Sequence, residues 1–144
     1  MNTSILSTLT GLNVTNPRSV IDQGFVGNNT ETANCKIKTT EVHSICIGVV
    51  LAVERSPIDN TWSVTVEVNS QLWVRYCSLR TTGIAVGSTL HKNDLVGYAN
   101  KSIMRFEYCT TAKSKFPVRV ATRQLYKQDP TPILFGQIPL DGES

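Results

Sequence analysis

Histidine is scarce in this chain of 144 residues, which contains only His43 and His91. Charged residues make up 17% of the sequence, against about 25% in typical globular proteins. No apolar run approaches the roughly 20 residues of a transmembrane helix, and the amino terminus lacks the basic and apolar segments of a secretory signal. We therefore expect no membrane insertion, no signal peptide, and initial retention in the cytosol.

The four cysteines, Cys35, Cys46, Cys77 and Cys109, contain no C-x-x-C pair, which argues against a zinc ribbon or knuckle. Their wide spacing is typical of buried free thiols in a reducing compartment. A disulfide between Cys77 and Cys109 is the alternative if their strands are neighbours.

The net charge of +3 is spread along the chain in ones and twos, whereas nucleic-acid-binding proteins cluster Lys and Arg on one face. Nucleic acid is therefore not an expected partner. The length corresponds to about one domain, which can bury a core without disulfides. Abundant Ser, Thr and Asn are typical of a β-rich surface.

Alternation of apolar and polar residues begins at about Cys35 and predicts an all-β domain. In Trp62–Val68 the apolar side chains share one face and the polar side chains take the other, as in a half-buried strand. This strand and the next form a predicted hairpin, with turns at Pro57–Asn60 and Asn69–Gln71. Strands are predicted at Lys36–Thr40, Ser44–Glu54, Trp62–Asn69, Leu72–Leu79, Ser102–Thr110 and Val118–Leu125.

No segment of useful length has helical periodicity, so we predict a single antiparallel sheet or sandwich at residues 35–134. Residues 1–34 are rich in Thr, Asn, Ser and Gly with scattered apolar residues, and they are predicted to form an extended arm that docks on another surface. A poorly ordered leader is the alternative. Pro130 and Pro132 end the regular structure, and residues 135–144 are predicted to be an extended C-terminal tail.

Several segments between Ile45 and Leu134 carry a resemblance to one protein family. They are Ile47–Val50, the hairpin end Tyr76-Cys77-Ser78-Leu79-Arg80, the turn Val86–Gly97, the strand Met104–Tyr108, and Asp129-Pro130. In this order they resemble the "dGvV", "Y-A-H-L-S", "V-G-x-x-V-k-k-G-q-x-I-G", "H-L-H-F-E" and "D-P-x-x-x-L" patterns of lysostaphin-like (LytM-type) metallopeptidases. The glycine turn also occurs in biotinyl and lipoyl carrier domains, but the lysine-bearing hairpin tip of those carriers is missing.

The resemblance implies a zinc enzyme that cuts peptide cross-links of bacterial cell walls, with two His and one Asp as ligands and a further His near the reacting water. When the motifs are carried over by position, the family's histidines correspond to Ser78, Ile103 and Arg105. The upstream "H-x-G-x-D" pattern can be aligned with Phe25–Asn29 or with Arg18–Asp22, and neither segment contains a His. A hydroxyl, an aliphatic group and a guanidinium are not zinc ligands of a hydrolase. We therefore predict no metal, no cofactor and no catalysis, with Ser78, Ile103 and Arg105 lining a vestigial groove.

The two real histidines are not predicted to replace the missing ligands. His91 is expected in an exposed turn, and His43 as a hydrogen-bonded or exposed strand residue beside Glu41. Glu67 and Glu107 could share a strand face, but we interpret them as exposed carboxylates rather than a catalytic pair.

The cysteines are weak candidates as well. Cys77 is predicted to point to the strand face opposite Ser78, whereas Cys109 shares a face with Arg105 and Glu107. A zinc site rebuilt from cysteines would be unusual. As a nucleophile, Cys77 would need a nearby histidine base and a lowered pKa, and the sequence offers no such partner.

Three functional hypotheses follow. The first is a non-catalytic structural subunit of a bacteriophage tail or baseplate, assembled in the host cytoplasm and present in the virion. Residues 1–34 and 129–144 would then contact other tail or baseplate proteins. The alternative is a module that binds peptidoglycan peptides or a protein through the vestigial groove. A second alternative is an unorthodox cell-wall hydrolase.

Overall fold

A computed structural model describes residues 33–36, 41–100 and 103–130 of the chain. In these residues ten β-strands form one antiparallel sheet without any α-helix. The predicted all-β fold with a single antiparallel sheet is therefore confirmed. A helix long and apolar enough to cross a membrane does not occur in the described ranges.

The order of strands in the sheet places β5 and β8 side by side near its centre. The main order is β6-β3-β4-β5-β8-β10-β9, and in addition β1 pairs with β8, β2 with β7, and β7 with β5. The strands are β1 (Ala33–Lys36), β2 (Glu41–His43), β3 (Gly48–Arg55), β4 (Trp62–Asn69), β5 (Leu72–Thr81), β6 (Thr89–Leu90), β7 (Leu95–Ala99), β8 (Ile103–Thr110), β9 (Pro117–Val120) and β10 (Arg123–Gln128).

The hairpin of β4 and β5 confirms the alternation in the sequence. Val66 pairs with Val74, and the next pair is Thr65 with Arg75. Successive pairs therefore point to opposite faces of the sheet. Asn69 closes the turn, since its Oδ1 accepts a hydrogen bond from the amide of Gln71 at 2.8 Å in an Asx turn.

The two faces of the sheet differ in chemistry. One face carries the main core, which includes Val50, Val64, Val66, Val74, Tyr76, Val96 and Phe106. The other face carries a smaller core of Ala52, Trp73, Cys109, Val120 and Leu125. Beside this smaller core the second face is polar, because Arg75 and Glu107 occupy the central strands there.

The strand predicted at Ser44–Glu54 is observed as β3 and begins four residues later, because residues 44–47 lie between β2 and β3. The amide of Ile45 donates a hydrogen bond at 3.1 Å to the buried hydroxyl of Tyr76. The hydroxyl of Tyr76 on β5 therefore takes the place of a neighbouring strand as the hydrogen-bond partner of this amide. The pattern of apolar residues along the sequence does not reveal such a side-chain partner.

The single strand predicted at Val118–Leu125 is a hairpin of β9 and β10. The chain turns at Ala121, whose φ of 54° lies in the left-handed region. Alanine is not a turn-forming residue, so the sequence carried little signal here. The amide of Ala121 donates a hydrogen bond to Glu54 Oε2 at 3.2 Å, which ties the hairpin to β3 and closes one end of the second face.

The predicted arm and tail fall mostly outside the described residues. Residues 33 and 34 of the arm belong to β1, and residues 1–32 are not described. The strand predicted at Lys36–Thr40 shares only Lys36 with β1, and residues 37–40 lie outside the described ranges. The predicted tail at 135–144 lies outside them as well.

Close packing of β3 on β4 leaves no room for a side chain at Gly48. A Cβ atom there would lie 2.5 Å from Val66 Cγ1 and 2.7 Å from the carbonyl oxygen of Glu67. We expect Gly48→Ala to lower the free energy of unfolding by about 1–3 kcal/mol, the usual cost of overpacking. Urea denaturation followed by circular dichroism measures this change.

Gly83→Ala is the matched control, because nothing lies within 4 Å of a Cβ atom at that position. It should change the free energy of unfolding by less than about 0.5 kcal/mol. Equal destabilisation by both substitutions would contradict the packing argument.

Candidate functional site

A groove of about 460 Å³ opens on the polar part of the second face. Residues of β4, β5 and β8 and of the turn between β3 and β4 line it. Ser78 and Arg105 of the predicted vestigial groove are both among them. Ile103 begins β8, and its side chain lies outside the described part of the structure. The structure thus brings Ser78 and Arg105 into one cleft.

A β-bulge in β5 turns Ser78 toward this groove. The pairing with β4 shifts there, so that Cys77 and Ser78 together face Ser63. Ser78 has a φ of 64°, a region that residues other than glycine rarely occupy. Both Cys77 and Ser78 line the groove, and the prediction that they point to opposite faces is therefore wrong. Strict alternation fails where a bulge inserts a residue.

Glu107 is buried next to the groove, opposite the lining residue Arg75, and its side chain is only 1% exposed. Its Oε1 accepts a hydrogen bond from Nη1 of Arg75, the residue opposite it on β5. Arg75 also donates through Nε to Thr65 Oγ1 at 3.1 Å and through Nη2 to Ser63 Oγ at 3.4 Å. The interpretation of Glu107 as an exposed carboxylate is therefore wrong. The sequence places Arg75 and Glu107, which have opposite charges, on two predicted strands. It does not give the register of those strands, so it could not show that the two residues pair.

Two further cations surround the same carboxylate. Nη2 of Arg105 lies 3.7 Å from Glu107 Oε2, and Nζ of Lys127 lies 3.5 Å from the same oxygen. With Arg75, three cationic side chains therefore face one carboxylate, a net charge of +2 for these four residues. The side chain of Arg105 is 50% exposed, so part of this positive charge is accessible from the groove.

The cations keep Glu107 ionised. Burial by itself would raise the pKa of Glu107, but Arg75, Lys127 and Arg105 outweigh it and hold the pKa below the ordinary value of 4.5. Glu107 is therefore a carboxylate at neutral pH. It acts as the counter-ion of its cationic neighbours and is not suited to serve as a general acid.

Cys77 and Cys109 are buried free thiols, as the spacing of the cysteines predicted. Their strands are neighbours, but Cys77 pairs with Arg105 and Cys109 with Trp73. This register separates the two thiols by about 13 Å along the strands, too far for a disulfide. Burial, reinforced by the charge of Glu107, raises the pKa of each thiol to about 12, so neither is a nucleophile at neutral pH.

The two histidines lie outside the groove, near the turn that precedes β7. Nδ1 of His43 is 3.0 Å from the carbonyl oxygen of Asn93, and Nε2 is 3.0 Å from Glu41 Oε1. His91 is 65% exposed, with Nδ1 3.6 Å from Asp94 Oδ2. The predictions of a hydrogen-bonded His43 and an exposed His91 are confirmed.

The groove residues do not fit the zinc ion that the family resemblance implies. A catalytic zinc needs about three nitrogen, oxygen or sulfur ligands and one open position. Ser78 offers a neutral hydroxyl, Arg105 a permanent cation, and the nearby Glu107 already accepts from Arg75. In the part of the chain that the structure describes, no group of three or more His, Cys, Asp or Glu residues is arranged to hold a metal ion.

Removal of the Glu107 charge should destabilise the fold strongly. Glu107→Gln would leave the guanidinium of Arg75, only 11% exposed, without its counter-ion. We expect the free energy of unfolding at pH 7 to fall by about 3–5 kcal/mol, as for other buried pairs that lose one partner. Urea denaturation of the two proteins in parallel measures the loss.

Glu67→Gln is the matched control on the same face. Glu67 is 34% exposed and 3.8 Å from Arg123, so its loss should cost about 1 kcal/mol or less. The pH provides a second check. Because the pKa of Glu107 is lowered on folding, its contribution is present above about pH 4.5 and is lost as the pH falls through the folded value. A Gln variant with unchanged acid sensitivity would contradict this assignment.

The buried thiols should resist modification in the folded protein. At a pKa of about 12, roughly one Cys77 or Cys109 thiol in ten thousand is ionised at pH 8. We expect iodoacetamide to leave both residues unmodified at pH 8 and to label them after urea unfolding. Peptide mapping by mass spectrometry distinguishes the sites, and rapid labelling of native Cys77 would contradict its burial.

Comparison with known proteins identifies the fold. No protein-family model and no curated protein matches the chain. The solved structure of LytU matches with a TM-score of 0.57 and 19% identity, over 85% of this chain and 83% of that chain. The catalytic domain of lysostaphin from Staphylococcus simulans matches with a TM-score of 0.55 and 17% identity, over 79% of this chain and 85% of that chain. A mutant catalytic domain of the prophage-encoded M23 protein EnpA from Enterococcus faecalis matches with a TM-score of 0.53 and 18% identity. This match covers 63% of this chain and 75% of that chain.

Longer structures are covered only in part. The chain spans 50% of the lysostaphin solution structure and 32% of a zinc-containing peptidase from Vibrio cholerae. At identities of 19% or below these likenesses concern the fold, and a fold by itself does not fix function. The antiparallel sheet, its order of strands and these matches together show that the chain has the fold of lysostaphin-type (M23) peptidase domains.

Proposed function

We propose that this chain is a non-catalytic subunit that uses a lysostaphin-type scaffold for assembly, as a structural component of a bacteriophage tail or baseplate. The observation that carries the proposal is the cationic groove floor. Where the family resemblance calls for a histidine, Arg105 stands beside the buried ion pair of Arg75 and Glu107.

The electrostatics of this floor oppose a metal ion. Two like unit charges 4 Å apart repel by about 1 kcal/mol in water and about 4 kcal/mol at an effective dielectric constant of about 20. A divalent ion doubles the repulsion from each cation, and Arg105, Arg75 and Lys127 all surround Glu107. Glu107, the carboxylate that contacts all three, is already bonded to Arg75. Hydrolytic zinc chemistry is therefore disfavoured by charge as well as by the donor set.

Three observations support assembly into a phage particle. EnpA, which has the same fold, is a prophage-encoded protein. Residues 1–34, rich in Thr, Asn, Ser and Gly with scattered apolar residues, suit a segment that becomes ordered against neighbouring subunits. Apolar side chains are also exposed on the domain itself, including Val49 at 47% and Val86 at 61%.

A second candidate function is binding of a peptide or a protein through the groove. The groove volume of about 460 Å³ is in the range of ligand sites, and hydrogen-bond donors line it. Peptidoglycan peptides are the ligands that the family resemblance suggests. Retention of the chain on purified peptidoglycan would support this function over a purely structural one.

Metal analysis and an activity assay test the absence of catalysis. We expect the chain, purified from zinc-supplemented medium and dialysed, to hold far less than one zinc ion per molecule and to release no new amino groups from peptidoglycan. The lysostaphin catalytic domain, treated identically, is the positive control. One zinc ion per chain, or cleavage of wall peptides, would contradict the proposal.

Mass spectrometry of purified particles tests the structural role separately. We expect peptides of this chain in virions of the phage that encodes it, in a fixed ratio to other tail proteins after density-gradient purification. If the chain is expressed during infection but missing from the particles, the tail or baseplate assignment is wrong.

A further inference from the structure

The groove is lined by three arginines, Arg55, Arg75 and Arg105, and by two carboxylates, Glu54 and Asp59. The nearby carboxylates are already bonded within the protein: Glu54 accepts from the amide of Ala121, and Asp59 accepts from the amide and hydroxyl of Thr61. Glu107 accepts from Arg75. These carboxylates keep their charge, but three arginines and two carboxylates in the lining still sum to a net charge of +1.

Arg105 is the group with donors to spare. Its guanidinium is half exposed, and its one charged neighbour within 4 Å among the described residues is Glu107, at 3.7 Å, beyond normal hydrogen-bond length. A guanidinium presents five N–H groups in a planar fork that matches a carboxylate. The bulged Ser78 adds a hydroxyl donor to the same cleft.

The lining of the groove is partly apolar. Trp62 and Ile58 both line it, and Ile58, at the turn between β3 and β4, is 93% exposed. A ligand held by Arg105 would therefore have an apolar surface beside its charged end. The terminal residue of a peptide, with its carboxylate and its side chain, has this combination of groups.

The geometry points to a site for the free C-terminal carboxylate of a peptide, bound by Arg105 and Ser78 where a peptidase of this fold would hold its metal. This inference rests on the proposed non-catalytic function and adds a class of ligand to it. Arg75 stays with Glu107 as the support of the floor, and Arg105 supplies the bidentate contact. The net charge of the cluster around Glu107 favours an anionic ligand.

A pair of short peptides tests the site without changing the protein. We would titrate the ¹⁵N-labelled full chain with N-acetyl-alanyl-alanine and with its C-terminal amide, and follow backbone amide shifts by NMR. The free acid should cause saturable shifts at Ser78 and Arg105. The amide should bind about tenfold more weakly or worse, since it loses charge-assisted hydrogen bonds. Equal binding of the two peptides would overturn the inference.

Matched substitutions identify the residue responsible. Arg105→Gln should weaken binding of the free acid about tenfold or more, while Arg105→Lys, which keeps the charge but not the fork, should give an intermediate loss. Arg119→Gln removes the same charge from an exposed position on β9 outside the groove and should leave binding unchanged. If Arg119→Gln weakens binding as much as Arg105→Gln, general charge is responsible and the inference fails.

Two further measurements, competition by inorganic phosphate and zinc analysis, distinguish failure of this inference from failure of the proposed function. Inorganic phosphate that competes as strongly as the peptide would show an unselective anion site and would overturn the peptide assignment. If neither peptide binds and the chain is free of zinc, the inference falls while the non-catalytic role stands. Hydrolysis of the peptide, or zinc at one ion per chain, would instead overturn the proposed function.

Discussion

The carboxylate of Glu107 is the group on which the polar half of this sheet depends. A charge that is 1% exposed costs several kcal/mol to bury unless it has partners, and here Arg75, Arg105 and Lys127 provide them. Arg75 in turn spans β4, β5 and β8 through Thr65, Ser63 and Glu107. The same pair that satisfies the burial cost thus fixes the floor of the groove.

The same residues give the groove part of its charge, because Arg75 and Arg105 both line it. Here guanidinium groups supply positive charge from within the chain, and Glu107 anchors them. A cleft with this charge is suited to hold an anionic group.

Local irregularity is concentrated at the same place. Ser78 adopts a left-handed backbone conformation that costs roughly 1–2 kcal/mol for a residue with a side chain. The bulge allows Cys77 and Ser78 to line the groove together, which regular alternation forbids. Strained backbone of this sort is found often at binding and active sites. Ser78, which lines the same groove as Arg105, is such a residue.

The sequence by itself determined the class of fold and most of the central strands, because a period of two sets the two faces of a strand locally. It also indicated that Ser78 and Arg105 belong to one groove, and the structure places both residues in its lining. Only the tertiary structure decided the roles of Glu107 and Cys77, the later start of β3 after Ile45, and the turn at Ala121. Register, bulges and contacts such as that of Ile45 with Tyr76 join residues distant in the chain. Burial and charge pairing depend on those non-local contacts, and no local pattern encodes them.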